Sequence, residues 1–381
     1  MNALNVQSIL ETPMDYRAAI DRVAAVSAAA AAACDGDDAF VADGYAALKR
    51  EGLFKVHVPV ELGGGGLNHA EICALIRRLA PACGSTALAF SMHTHIVSVA
   101  AWRWRNEKAP TEGLLRRVAN EDLVLVSSGG SDWLKSAGRA ERVEGGFKVT
   151  ARKIFASGSP AGDLLVTSAV YDDPESGATV LHFAAPLKAP GVKLHDNWRV
   201  MGMRGTGSQD VELDGVFIPD AAISGRRPQA KWHPLFHTIS LIAFPIIYAA
   251  YLGVAEGARD KALAIARKKP DDGNLAYLVG EMENAFTSAV LAHDHMVALA
   301  ASERPGAETT SKAMIGRTLV AREAIRTVEL AMEVAGGGSF YRSAGLERAF
   351  RDIQAARFHP LQEKPQLRYT GRVALGLDID G

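Results

Sequence analysis

Five short stretches carry residue types that move protons or hold flat, polar ligands. They are Phe358-His359-Pro360, Lys153-Ile154-Phe155-Ala156-Ser157, Ser127-Ser128, His93-Thr94-His95 and Met203-Arg204-Gly205-Thr206-Gly207-Ser208. An imidazole donates or accepts a proton near neutrality. A serine hydroxyl both donates and accepts. An aromatic ring covers the face of a flat ligand, and a guanidinium grips phosphate. Each residue also has a plainer use. His359 can face the dipole at a helix end, and Phe155 can be strand core with Ser157 opening a turn. Arg204 can form a surface ion pair. His93 and His95 lie two positions apart on a helix, so they cannot face the same way.

The elements that must position these residues fall into three zones. Residues 1–122 are Ala-rich with helical spacing, as in 21–33, 38–52 and 69–84. Residues 123–225 are short Val-, Leu- and Phe-rich runs separated by Gly, Pro, Asp and Ser, the pattern of an antiparallel β-domain. Glu144-Gly145-Gly146 predicts a hairpin turn there. Residues 226–381 return to helix, with segments expected near 235–268, 274–301, 311–335 and 343–358, and a Pro270–Gly273 turn between the first two. Helices, then strands, then helices give an α+β order. The Gly63–Gly66 run does not join a strand to a helix, so it reads as a loop and not a phosphate cradle.

Several classes are disfavoured. The 381 residues carry a formal net charge of -1, with no basic footprint for nucleic acid. Cys34, Cys73 and Cys83 have neither metal-type spacing nor a disulfide framework, as in a reducing, cytoplasmic setting. The opening MNALNVQSIL lacks a basic stretch before an apolar core, so no secretory leader is expected. Residues 232–255 contain no Asp, Glu, Lys or Arg and are long enough to span a bilayer. His237, Thr238, Ser240 and Pro245 interrupt them, and no basic cluster flanks them, so no membrane is expected. No Rossmann fingerprint, P-loop, zinc motif or nucleophile elbow is present.

The order of Pro59–Gly64, Ser127–Asp132, Arg152–Ser159, Met201–Val211 with Val216–Pro219, and Gly336–Gly338 with Arg348 and Arg351-Asp352 resembles the acyl-CoA dehydrogenase superfamily. The resemblance implies an N-terminal helical domain, a central antiparallel β-barrel and a C-terminal four-helix bundle, usually in a homotetramer. It also implies a flavin between barrel and bundle. Phe155 would cover the ring, Ser157 would meet its N5, and Ser127 and Ser128 would lie at its pyrimidine edge.

Dehydrogenation of an acyl-CoA needs a carboxylate to remove the α-proton. In most of the superfamily it lies eight residues after the Arg-Asp pair. Counting from Asp352 reaches Pro360, and the alternative position on the first bundle helix falls in the stretch without acids. The Arg204–Ser208 sequence resembles instead the two-component flavin monooxygenases, among them dibenzothiophene monooxygenases and amino-sugar N-oxygenases. That branch takes reduced flavin from a separate reductase and forms a C4a-hydroperoxyflavin with O2. The resemblance carries catalytic roles to His359, His93 and Ser157, and a flavin contact to Arg204. The adenine-holding motifs of the dehydrogenases are missing at Arg267–Gly273 and Met332–Gly337, which implies reduced FMN or diffusible reduced FAD. The expected substrate is small and apolar or aromatic, near residues 88–104 and 236–248, with Phe90, Met92, Trp102, Phe236 and Phe244 as apolar candidates. The alternatives are an acyl-CoA dehydrogenase with its base moved to Glu333 or Glu363, and a non-catalytic flavin-binding scaffold.

Overall fold

The computed structural model describes residues 15–269 and 272–381. The opening ten residues and Pro270-Asp271, on which two expectations fall, lie outside the described residues. Five helices come first: α1 (Tyr16–Gly36), α2 (Ala42–Arg50), α3 (His69–Leu79), α4 (Gly84–Glu107) and α5 (Glu112–Glu121). Asn68 and Glu71 close a reciprocal capping box at the start of α3. The Gly63–Gly66 loop folds back so tightly that a Cβ on Gly64 would lie 2.2 Å from the Val58 carbonyl oxygen. It is a packed loop, as its context predicted.

Next come β1 (Leu125–Ser127), a single turn α6 (Gly129–Asp132), β2 (Arg139–Val143), β3 (Gly146–Ala156), β4 (Leu164–Asp173), β5 (Gly177–Pro186), β6 (Val192–Leu194), β7 (Gln209–Pro219) and β8 (Ile223–Pro228). The expected purely antiparallel barrel needs correction. The sheet runs β6-β7-β3-β2-β4-β5-β8 with β1 on β4, and both β1 and β2 pair with β4 in parallel. Alternation marks a half-buried strand but does not encode its partner's direction. The Glu144-Gly145 turn joins β2 to β3, with Gly145 at φ +75°. Near its end β3 carries one extra residue against β7: Lys153 faces Val211 and Ala156 faces Gln209. Such a bulge re-aims side chains.

The helical return comprises α7 (Pro234–Ala266), α8 (Gly273–Ser302), α9 (Ala307–Ala335), α10 (Leu346–Ile353) and α11 (Glu363–Ala374). The expected fourth helix is broken. It is α10, a 3-10 turn over Gln354–Arg357, and then α11 across Pro360. Helix α7 is long and apolar enough to cross a membrane, yet its most apolar window is 94% buried. Helices α3, α4, α8, α9 and α10 all pack on it, so its missing charges are explained by burial on every side.

The bundle is pinned to α1 and to the loop before β7 by α10. Arg351 makes a two-pronged ion pair with Asp35 at 2.9 and 2.6 Å. The Met203 N–H donates to the buried Asp352 carboxylate. Gly202 backs onto Arg351 so closely that a Cβ would sit 2.1 Å from its carbonyl oxygen. These contacts set the far wall of the site.

Candidate active site

Between the sheet and helices α4, α7 and α10 lies a cavity of about 760 Å³. Ser127, Ser128, Phe155, Ser157 and His359 all line it. Residues distant in the chain thus meet on one surface. Met92, Phe236 and Phe244 also line it, whereas Phe90 and Trp102 do not.

The β3 bulge places Phe155 at φ +59°, a backbone state rare for an aromatic residue. Its ring is 53% exposed, standing edge-on to Trp198 at 5.9 Å. The ring is therefore not strand core but a free aromatic face on the cavity wall. Two residues on, the Ser157 hydroxyl lies 2.7 Å from that of Ser208, which lies 2.7 Å from that of Thr206; Thr206 in turn donates to the Met203 carbonyl at 2.9 Å. With Thr206 donating to Met203, each hydroxyl donates down the chain and Ser157 is left as an acceptor. Reversing the chain makes Ser157 a donor at the expense of the Thr206–Met203 hydrogen bond. One file of hydroxyls can thus serve either form of a ligand nitrogen. Ser128 is held by Thr167 at 2.7 Å.

His359 sits at the end of the 3-10 turn. Arg317, buried in α9, donates to the carbonyls of Ala356 and His359 at 2.8 and 2.9 Å and fixes the segment. The Tyr251 hydroxyl is paired with His359 Nδ1. Tyr251 is fully buried and its hydroxyl has no other partner among the described residues. If His359 donated instead, the phenolic hydrogen would be stranded at a cost of about 1–3 kcal/mol. Tyr251 therefore donates, and His359 carries its proton on Nε2, which no described residue takes up. Burial, reinforced by Arg317 and His95, pushes its pKa down to about 3. His359 is a neutral N–H donor at the cavity wall.

His93 requires a correction. It is 1% exposed and does not line the cavity. Its Nε2 donates to the Phe54 carbonyl at 2.7 Å, and its Nδ1 accepts the Leu125 N–H at 2.9 Å. Both nitrogens are used in tying α4 to β1. The cavity residue is His95, whose Nδ1 donates to the Ser91 carbonyl at 3.2 Å and whose Nε2 is left as an acceptor. Burial holds His95 neutral, with a pKa near 4. The only sequence signal for it was the two-residue offset from His93, which says that one faces away but not which.

Arg204 is also corrected. It donates to the Val200 and Asp35 carbonyls at 3.0 and 3.2 Å, pairs with Asp38 at 3.4 Å, and does not reach the cavity. Its role is to join loops.

Among the described residues, Asp132 is the one carboxylate in the cavity wall, and it is ion-paired with the buried Lys153. Glu363 pairs with Arg322, and Glu333 lies near Arg326; neither lines the cavity. The site thus offers donors and acceptors without a free carboxylate base. A free aromatic face beside a reversible hydroxyl, with two further hydroxyls nearby, fits a flat heteroaromatic ring such as a flavin's.

Models of the acyl-CoA dehydrogenase N-terminal, middle and C-terminal domains match residues 12–121, 127–216 and 246–363. The chain is 28% identical to the amino sugar nitrososynthase RubN8 of Streptomyces rubradiris, over 92% of this chain and 87% of that one. It is 26% identical to the putative acyl-CoA dehydrogenase YdbM of Bacillus subtilis (strain 168), over 90% and 91%. The solved structure of KijD3 in complex with FMN and dTDP-3-amino-2,3,6-trideoxy-4-keto-3-methyl-D-glucose superposes with a TM-score of 0.87 at 26% identity, covering 96% and 95%. Similarity to proteins of both names leaves the choice of chemistry to the residues. With all three domain models in order along one chain, this protein belongs to the acyl-CoA dehydrogenase family.

Proposed function

We propose that this protein is a flavin-dependent monooxygenase that uses reduced FMN or FAD and O2 on a small substrate. The observation that carries the reading is the pairing of a base vacancy with a donor. Pro360 and the acid-free start of α7 occupy the two places for a dehydrogenase carboxylate, and the neutral His359 N–H stands beside them. Reduced flavin, when bound, activates O2, delivering one oxygen atom to substrate and one to water. The chain's own part is to position and to keep dry. Phe155 covers one face of the ring, with Ser127 and Ser128 at its edge, and Ser157 matches the hydrogen-bonding state of its N5. His359 donates from Nε2 to oxygen, and His95 accepts from a substrate hydroxyl or amine. The apolar walls of α4 and α7 exclude water.

This reading carries the family's setting with it: a cytoplasmic homotetramer supplied by a separate flavin reductase. Dehydrogenation has no support from the site, because the wall carboxylate Asp132 is held by Lys153. The test is anaerobic titration of FMN-loaded protein with acyl-CoA thioesters of several chain lengths. No bleaching of the flavin is expected. Stoichiometric bleaching by any of them would establish a dehydrogenase and sink the reading.

A further inference from the structure

The β8 end of the cavity carries positive charge without a matching carboxylate. Arg227 is 3% exposed. Its Nε donates to His182 Nε2 at 3.0 Å, and its remaining donors reach the carbonyls of Leu134, Trp133 and Pro228 at 2.6, 3.0 and 3.3 Å. Every one of these partners is neutral. Two buried cations, Lys153 and Arg227, stand against one buried anion, Asp132. A buried charge without a counter-charge is costly, and this one lies in the wall of an open cavity.

The neighbouring histidines have fixed tautomers. His182 accepts from a guanidinium that keeps its proton, so its own hydrogen is on Nδ1. Burial and Arg227 lower its pKa to about 3, so it stays neutral. His233 accepts the Leu235 N–H through Nδ1 at 3.3 Å, so its hydrogen is on Nε2. Neither N–H has a partner among the described residues, and both histidines line the cavity. Beside them Trp133 packs on Phe236 at 4.8 Å and stacks on Phe244 at 6.2 Å.

We propose that this end binds the anionic group of the substrate, a carboxylate on a flat apolar body, with His182 and His233 donating to it and Arg227 balancing its charge. The proposal deepens the monooxygenase reading and rests on it for the ligand's being a substrate. The rival source of an anion is the flavin phosphate. Phe155 and Ser157 lie at the end of β3, which β2, β4 and β5 separate from β8 in the sheet. The face of a ring held at β3 is therefore across the sheet from Arg227, while its Ser127 edge lies on β1 beside β4, so the FMN affinity of Arg227→Gln decides between the two anions.

The test is calorimetric titration of FMN-loaded protein, without reductant, using benzoate and naphthalene-2-carboxylate against their neutral amides. At least one acid is expected to bind about tenfold or more tighter than its amide, as a charge-assisted contact requires. Arg227→Gln and His182→Phe should reduce that ratio to near unity while leaving FMN affinity within about twofold, and Arg227→Lys should retain most of it. The wild-type comparison needs no variant, so a variant that fails to fold leaves the test standing. Equal binding of every acid and its amide overturns the proposal. So does Arg227→Gln if it weakens FMN tenfold and spares the acid–amide ratio. No oxygen chemistry enters the titration, so failure of the monooxygenase reading would not alter its result.

Discussion

His93, within α4, and His359, two residues past the 3-10 turn, are both neutral histidines, and their surroundings give them opposite uses. His93 spends both ring nitrogens on backbone groups of two other segments. His359 spends one on Tyr251 and presents the other to the cavity. The difference teaches that an imidazole becomes a structural tie or a chemical group according to how many of its nitrogens the fold consumes. Residue type and helical phase do not decide it.

The comparison breaks most sharply under substitution. His359→Ala should lower oxygenated product per reduced flavin by on the order of 10²-fold, with the missing oxygen recovered as H2O2 and the denaturation midpoint close to wild type. Product analysis beside a urea melt checks both halves. His93→Ala should do the reverse. It leaves the Phe54 carbonyl and the Leu125 N–H unpaired and opens a void, at a cost of roughly 3–5 kcal/mol. The protein that stays folded should keep its coupling; near-wild-type stability with lost coupling would exchange the two roles.

Smaller effects sharpen the picture. Ser157→Ala should lower coupling about tenfold and Ser208→Ala only a few-fold, since the second breaks the hydroxyl file one step away. Equal losses would mean that Ser208 touches the ligand itself. Tyr251→Phe frees His359 to move its proton to Nδ1 and should cost a similar few-fold.

At the site itself pH should do least. His359 and His95, with pKa near 3 and 4, remain neutral from pH 6 to 9 and add no limb to the coupling profile. Stability behaves differently. His57, His93, His95, His182, His293 and His359 are all pushed to about 3 or 4 by burial. The unfolded chain takes up protons near pH 6.5 that these folded imidazoles refuse, so stability present above that pH is lost as pH falls toward 4. Asp352, raised to about 6 by burial, opposes this, because it is stabilised by protonation. Burial raises Asp132 and Asp294 as well, and three carboxyls against six imidazoles leave the net sign unchanged. Thermal melts at pH 7 and pH 5 should show the lower Tm at pH 5, and a Tm independent of pH would contradict the burial argument.

Much of this architecture was legible in the sequence. Helical spacing, short strand runs and glycine-rich loops located the layers because they reflect local backbone preference. The meeting of Phe155, Ser157 and His359 was legible only through motif order, since no local rule joins positions two hundred residues apart. The parallel pairings on β4 were not legible, because pattern fixes a strand's face and not its neighbour. His93 was misread for a related reason: the two backbone groups that consume it come from residues 54 and 125. Arg204 was misread because an arginine in a glycine-rich loop looks alike whether it faces a phosphate or Asp38. Arg227 gave no signal at all, because a buried cation without a carboxylate exists only once the sheet has formed.

The most direct test of the central claim follows the oxygen reaction of protein loaded with reduced FMN by stopped flow, with H2O2 release measured in parallel. Wild type should consume O2 well before it releases H2O2. His359→Ala should release the two together while retaining its fold and FMN affinity. If wild type shows no such delay, or if His359→Ala keeps it intact, His359 is a helix end and the monooxygenase account loses its principal support.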